Sequence, residues 1–252
     1  MSKQTRIAVV TGAGQGIGKA CATGLLKAGW HTVFIGRRTG LLETAIAEAG
    51  NVAATGLALP CDVSDAAAVE KAFAKIEATF GRIDLLFNNA GISGPRGTLD
   101  EIPVDEWERT VAINVNGAFL CARAAFALMK RQTPQGGRII NNGSLAAHTP
   151  RPHTAPYAVT KHAISGLTKC LSLDGRPFDI ACGQLDIGNV RTEMAAPMLQ
   201  GLLQADGSVK KEPVFELQHV VDALLYMANL PLDANVQTMT VMATKMPYIG
   251  RG

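Results

Sequence analysis

Short runs of consecutive apolar residues alternate with stretches of helical periodicity along the chain. Residues 6–11 are apolar at nearly every position and end in glycines, the pattern of a strand buried on both faces. Over 17–28 the apolar positions recur at helical spacing, and Gly29 ends the run. The same reading predicts strands over 32–35, 55–59, 83–87, 138–141, 180–187 and 236–241, with 180–187 less apolar than the rest. Between them it predicts helices over 41–49, 64–80, 104–129, 155–173 and 218–229. Ser64 is placed to cap the second of these, and Gly81 to stop it. The stretch 193–214 has no decisive period.

Strand–helix alternation with continuous apolar strands implies an α/β fold built on a parallel sheet, with helices covering both faces. Right-handed crossovers then give a doubly wound, Rossmann-type sheet of about seven strands, with its ligand beyond the carboxyl ends. The 252 residues suit one such domain over 1–252, with no internal repeat, low-complexity segment or linker.

Composition narrows the function. The net charge of +3 is not gathered into a basic run, which argues against nucleic acid and membrane surfaces as partners. The five cysteines, Cys21, Cys61, Cys121, Cys170 and Cys182, share no metal-type spacing, so reduced thiols in a cytoplasmic protein are expected, and no metal. The first residues lack the apolar core of a signal peptide, and no apolar run approaches the ~20 residues of a membrane span.

The first strand leads into Thr11-Gly12-Ala13-Gly14-Gln15-Gly16-Ile17-Gly18 and then a helix. Glycines allow a tight turn and close approach of a pyrophosphate, and the helix start offers it free N–H groups and a positive dipole end. A glycine cluster alone can be a plain strand–helix turn, but the flanking elements here favour a dinucleotide. Where the second strand ends, a carboxylate usually binds the ribose 2′-hydroxyl of NAD. This chain has Gly36-Arg37-Arg38 there, and guanidinium groups suit a 2′-phosphate. The expected cofactor is therefore NADP, with NAD less favoured.

Tyr157 and Lys161 are four residues apart at the start of a helix, so they share a face. A nearby cation favours a phenolate, which suits the phenol to proton exchange in an alcohol–ketone interconversion. Such a pair also arises as an ordinary helix contact. Ser144 follows a strand, at the end where doubly wound folds place their sites, and its hydroxyl can donate to a substrate oxygen. A Ser-His-Asp hydrolase is the rival use of Ser144, but Asn142-Gly143-Ser144-Leu145-Ala146 lacks the G-x-S-x-G pattern.

With these residues in place, the chain resembles the short-chain dehydrogenase/reductase family in its compact branch, from Thr11 to about Thr192 and again at the last strand. The resemblance rests on the glycine motif, Cys61-Asp62-Val63, Asn88-Asn89-Ala90-Gly91, Asn114, Ser144, Tyr157 and Lys161. It implies that Asp62 and Val63 lie at the adenine and that Asn89, Ala90 and Gly91 lie under the cofactor. It implies that Asn114 holds a water relaying protons to Lys161, which also bonds the nicotinamide ribose. It further implies a substrate lid over 193–214, where Met194, Met198, Leu199, Leu202 and Leu203 are apolar, and a homo-oligomer, tetramer or dimer.

Two segments depart from that pattern. The family usually has Pro-Gly after the sixth strand; here Ile187 stands before Gly188, while Gly188, Val190 and Thr192 keep the register expected of nicotinamide contacts. The C-terminal segment 241–252 lacks the familiar ending and receives no role. His148, Arg151 and His153 lie between Ser144 and Tyr157 and are candidates for the pocket entrance rather than for chemistry. Trp30 and Trp107 read as packing. The function this predicts is an NADP(H)-dependent oxidoreductase of a small carbonyl or secondary alcohol. An NAD-linked alcohol dehydrogenase and a non-catalytic dinucleotide-binding regulator are the alternatives.

Overall fold

Alternate residues of the first strand face opposite cores. Ala8 and Val10 join Leu25, Phe34, Phe87 and Leu224 on one side, whereas Val9 joins Val33, Ile76, Leu86 and Ile139 on the other. A strand that must be apolar on both faces is what a parallel sheet between two helix layers requires. The computed structural model describes residues 5–192 and 200–249.

In chain order the elements are β1 (Ile7–Thr11), α1 (Gly16–Lys27), β2 (His31–Gly36), α2 (Thr39–Ala47), β3 (Gly56–Pro60), α3 (Ala66–Phe80) and β4 (Leu85–Asn88). There follow α4 (Val104–Val111), a π-turn (Ala112–Asn116), α5 (Gly117–Arg131), β5 (Gly137–Asn142), α6 (Ala155–Asp174) and β6 (Ile180–Ile187). A hairpin of β7 (Leu202–Leu203) and β8 (Val209–Lys210), then α7 (Leu217–Asn229) and β9 (Thr238–Val241), complete the chain.

Seven strands form one sheet in the order β3-β2-β1-β4-β5-β6-β9. Every pair in it is parallel. The order reverses between β1 and β4, and the crevice beyond their carboxyl ends is where a doubly wound sheet takes its ligand. The doubly wound α/β architecture expected from the alternation is the observed one.

Some boundaries differ from the sequence reading. Asp65, not Ser64, caps α3: its carboxylate accepts from the N–H groups of Ala67 and Ala68. Ser64 instead donates to Asp62 through both its N–H and its hydroxyl. Two adjacent polar residues can each cap, and local geometry decides between them. Gly81 does end α3, in the left-handed conformation at φ 72°.

The stretch 104–129 proves to be two helices joined by the π-turn, so that Val104–Arg131 is continuously helical over 28 residues. By length and composition alone that run could cross a membrane, contrary to the expectation that no run reaches such a length. Here Cys121, Ala125, Leu128 and Met129 on its inner face are buried in the core beside α3. The ambiguous stretch contains the β7–β8 hairpin, which short paired segments of two residues each do not betray by periodicity. Met194, Met198 and Leu199 lie outside the described residues, while Leu202 is buried.

Candidate functional site

The glycine loop sits against the end of β4, and its glycines are required there. Gly12 has φ +68°, and a Cβ on it would lie 3.0 Å from Ala90 Cα. A Cβ on Gly18 would lie 2.2 Å from the Gly12 carbonyl oxygen, so no side chain fits. Thr11 Oγ1 accepts from the N–H groups of both Asn89 and Ala90 at 2.9 Å, and Asn89 Nδ2 returns a bond to the Thr11 carbonyl. Asn142 Nδ2 donates to Asn89 Oδ1 at 2.8 Å, extending the tie to β5. Gly91 passes close to Asn114 Oδ1, which a Cβ would approach at 3.2 Å.

The start of α1 is built for an anion. Gln15 provides no side-chain cap, and no acidic residue lies in the first turn. The early N–H groups are thus left to a ligand, with the positive dipole end behind them. The approach over Gly16 is open, since among the described residues only Thr192 Cγ2, at 3.9 Å, is found within 4 Å of a Cβ built there, whereas Gly14 is packed against Leu41, whose Cβ a side chain would meet at 3.3 Å. These residues fit the pyrophosphate of a dinucleotide.

At the far end of this crevice Arg37 and Arg38 are exposed past the end of β2. Arg38 Nη2 donates to Gln15 Oε1 at 2.6 Å and so braces the glycine loop. Asp62 accepts from Ser64, which lowers its carboxyl below the usual range, and the positive charge of Arg37 adds to the effect. Val63 is buried beneath.

At the other end, Lys161 on α6 lies beside Tyr157 and reaches the end of β5, two residues before Ser144. Lys161 is buried, and its Nζ donates to the Asn142 carbonyl at 2.7 Å. The same ammonium lies 5.5 Å from the centre of the Tyr157 ring. Among the described residues the Tyr157 hydroxyl has no hydrogen-bond partner, which leaves it to a ligand. Ser144 Oγ accepts from the Ala146 N–H at 3.1 Å, so its own proton is free to donate elsewhere.

Asn114 occupies the π-turn, a deformation that often marks functional sites. Its amide holds the chain after β4, accepting from the Ile92 N–H and donating to the Ile92 carbonyl, both at 2.8 Å. Its second amide proton goes to Thr160 Oγ1 on α6 at 3.0 Å. Both protons are therefore engaged by protein.

Sequence reasoning missed Asp186. This fully buried carboxylate accepts from the Ser144 N–H at 3.0 Å and faces His148 Nε2 at 2.8 Å. Serine, histidine and aspartate thus converge, but not as a hydrolase triad, because no hydrogen bond joins Ser144 Oγ to His148 among the described residues. The signal was the lower apolarity of β6: Gln184 and Asp186 alternate on one face of an otherwise buried strand.

Arg151 was also underrated. It forms an ion pair with the buried Glu212 and donates to Asn189 Oδ1. Gln204 of the hairpin region and Asn189 donate to the same carboxylate. Burial would raise the Glu212 carboxyl, yet the bonds from Arg151 and Asn189 outweigh it and hold it down to about 2. Arg151 and His153 line a cleft of about 670 Å³ beside the start of α6, but Ser144, Tyr157 and His148 do not line it, so it is separate from the pocket whose entrance these residues were expected to form. Ile187, in the place expected for proline, completes β6 and pairs with Val241. Gly188 continues that contact through its N–H, and Val190 bridges to Phe215.

The unassigned C-terminal segment packs on this end of the sheet. Ala243 and Met246 are buried with Leu145, the residue after Ser144. Residues 250–252 lie outside the described residues.

Comparison with known proteins agrees with this geometry. The family model for short chain dehydrogenase matches residues 6–202. A 3beta-hydroxysteroid dehydrogenase of Mediterraneibacter gnavus is 38% identical over 183 residues, covering 71% of this chain and 64%, less than two thirds, of that relative. Among solved structures, a single-site variant of an actinorhodin polyketide ketoreductase with NADPH superimposes with TM-score 0.83 at 28% identity, over 96% of this chain and 98% of the other. A 3-ketoacyl-(acyl-carrier-protein) reductase from Brucella melitensis complexed with NADH gives TM-score 0.83 at 25% identity, over 95% and 98%. With a parallel sheet in this order, a glycine loop at its switch point and a family match over most of its length, the chain belongs to the short-chain dehydrogenase family of oxidoreductases, whose structural neighbours bind a nicotinamide dinucleotide.

Proposed function

We propose that the protein is an NADP(H)-dependent oxidoreductase interconverting a small carbonyl compound and a secondary alcohol, with Tyr157 as general acid/base. The observation that carries this is the free Tyr157 hydroxyl beside the buried Lys161 and Ser144, at the carboxyl ends of the strands. Gly12, Gly14, Gln15, Gly16, Ile17 and Gly18 hold the pyrophosphate, and Arg37 and Arg38 the adenosine ribose. Asp62 and Val63 contact the adenine, Asn89, Ala90 and Gly91 underlie the dinucleotide, and Gly188, Val190 and Thr192 position the nicotinamide. The bound dinucleotide supplies or accepts the hydride.

The protein's own part is proton transfer and orientation. In reduction Tyr157 gives its proton to the carbonyl oxygen, and Ser144 donates a hydrogen bond to that oxygen. Lys161 stabilises the negative charge left on the phenol oxygen and bonds the nicotinamide ribose. Asn114, whose amide protons are engaged, fixes the chain after β4 against α6 and keeps acceptor capacity for a relay water. Residues 1–252 act as one domain, and 193–214 close over the substrate. Exposed Phe119 and Val159 on α5 and α6 support a homotetramer or dimer through those helices. The unpaired cysteines support a cytoplasmic location.

An NAD-linked alcohol dehydrogenase is the second reading, favoured by the engagement of Arg38 with Gln15, which leaves Arg37 as the freer guanidinium. A carbonyl and alcohol panel run with NADPH and NADH tests both. Turnover that prefers NADPH and is lost in Tyr157→Phe, with cofactor binding kept, is the expected result. Retained turnover in that variant refutes the mechanism, and tight NADPH binding with no turnover indicates a regulator.

A further inference from the structure

A fully buried carboxylate that the acid/base set does not use stands directly behind Ser144. Asp186 Oδ1 accepts from the Ser144 N–H at 3.0 Å and from Gln184 Nε2 at 2.7 Å. A Cβ on Gly143 would fall 1.9 Å from that same oxygen, so the Gly143–Ser144 turn is shaped to admit it. The other oxygen meets His148 Nε2 at 2.8 Å, and among the described residues His148 is the one basic side chain in ion-pair contact with it. A buried carboxylate is costly unless its oxygens are satisfied, and here they are spent on the turn that carries Ser144.

The carboxylate does not act alone. Gln184 Nε2 also donates to Ser165 Oγ at 3.0 Å, and Thr168 Oγ1 bonds Gln184 Oε1 at 3.1 Å. Ser165 and Thr168 belong to α6, the helix of Tyr157 and Lys161. The chain of bonds therefore runs from α6 through β6 to the Ser144 peptide. It fixes the serine relative to the helix that bears the tyrosine.

From this juxtaposition we infer that Asp186, clamped from the solvent side by His148, is a positioning residue for Ser144. It holds the Ser144 peptide so that the hydroxyl, whose oxygen already accepts from Ala146, points its proton at the reacting oxygen. The inference rests on the Ser144 role proposed above. Asp186 touches neither substrate nor cofactor in this role.

A double-mutant cycle on turnover of the best panel substrate is the test, because residues acting through one another are not additive. Ser144→Ala alone should lower kcat about 100-fold. Asp186→Ala should lower kcat roughly 10- to 100-fold while the KM for cofactor stays within about 2-fold. In the Ser144→Ala background Asp186→Ala should cost less than about 3-fold further. Asp186→Asn, which keeps an acceptor for the Ser144 N–H, should recover most of the loss. If Asp186→Ala does not fold, His148→Ala serves instead, since that side chain is 44% exposed; it should slow the wild type but not the Ser144→Ala variant.

Equal losses in both backgrounds, or full activity in Asp186→Ala, overturn the inference and leave the proposed function standing. Full activity in Ser144→Ala, or no turnover by the wild type on any panel member, overturns the underlying role of Ser144 and this inference with it.

Discussion

Lys161 Nζ donates to the main-chain oxygen of Asn142 at 2.7 Å, so the first turns of α6 are fixed against the end of β5. One buried ammonium thereby serves two ends. It places its charge beside Tyr157, and it satisfies a carbonyl two residues before Ser144.

Lys161→Met should therefore fail in two separable ways. Turnover should fall at least 100-fold with the loss of charge at the phenol. Stability should fall by about 1–3 kcal/mol, because the Asn142 carbonyl loses its donor. Kinetics and thermal denaturation of the same preparation check both, and unchanged stability would show that the Asn142 bond matters little.

The two arginines after β2 should separate in binding. Arg38 braces Gln15 and through it the glycine loop, whereas Arg37 lies near Asp62. Arg37→Ala is expected to weaken NADPH about 10-fold or more, a charge-assisted bond to the 2′-phosphate being lost, and to leave NADH within about 2-fold. Arg38→Ala should weaken both cofactors, since both need the loop. Titrations with each dinucleotide read the difference; equal effects of Arg37→Ala on the two would remove the case for NADP preference.

The doubly wound fold was readable from the chain because strand burial on both faces writes itself as runs such as Val9-Val10 and Leu85-Leu86-Phe87. The pairing of Tyr157 with Lys161 and the place of Ser144 after β5 were readable because the helix period and the strand end are local facts. What stayed hidden depends on contacts far apart in sequence. Asp186 meets Ser144 across 42 positions, and Glu212 meets Arg151 across 61. No local pattern announces such a partner beyond a polar residue where an apolar one is expected. Ser64 and Asp65 show the smaller limit, since two neighbouring polar residues compete for one helix end and only geometry chooses.

Glu212 ties the hairpin region to the segment before α6 and should make stability depend on acid. Its folded carboxyl is held down to about 2, below its ordinary 4.5, by the bonds from Arg151 and Asn189 that outweigh burial. A group lowered on folding contributes stability that is complete above its unfolded value and is lost as pH falls through the folded one. The window is therefore from about pH 4.5 down to about 2, with roughly 3 kcal/mol at stake. Glu212→Gln should be less stable at neutral pH and lose less on going from pH 6 to pH 3. Denaturant unfolding at the two pH values measures it; parallel losses in both proteins would contradict the assignment.

The C-terminal segment makes a prediction that its sequence alone did not suggest. Met246 and Ala243 are buried against Leu145, and a Cβ on Gly188 would lie 2.8 Å from Met242 Cβ. The segment therefore packs behind the two turns that follow β5 and β6, one carrying Ser144 and the other leading to Val190 and Thr192. Met246→Ala removes side-chain volume from that contact and should cost about 2–4 kcal/mol. Because Leu145 is the residue next to Ser144, the loosened turn should also lower kcat several-fold, a change that stability alone would not produce under conditions where the variant is fully folded. Dinucleotide binding should change much less than kcat, because the glycine loop on β1 and β4 is not touched, although Met246 also packs against Gly188. Steady-state kinetics below the unfolding transition, together with cofactor titration, separate the two effects. A variant that is less stable but keeps full kcat would reduce the segment to plain packing.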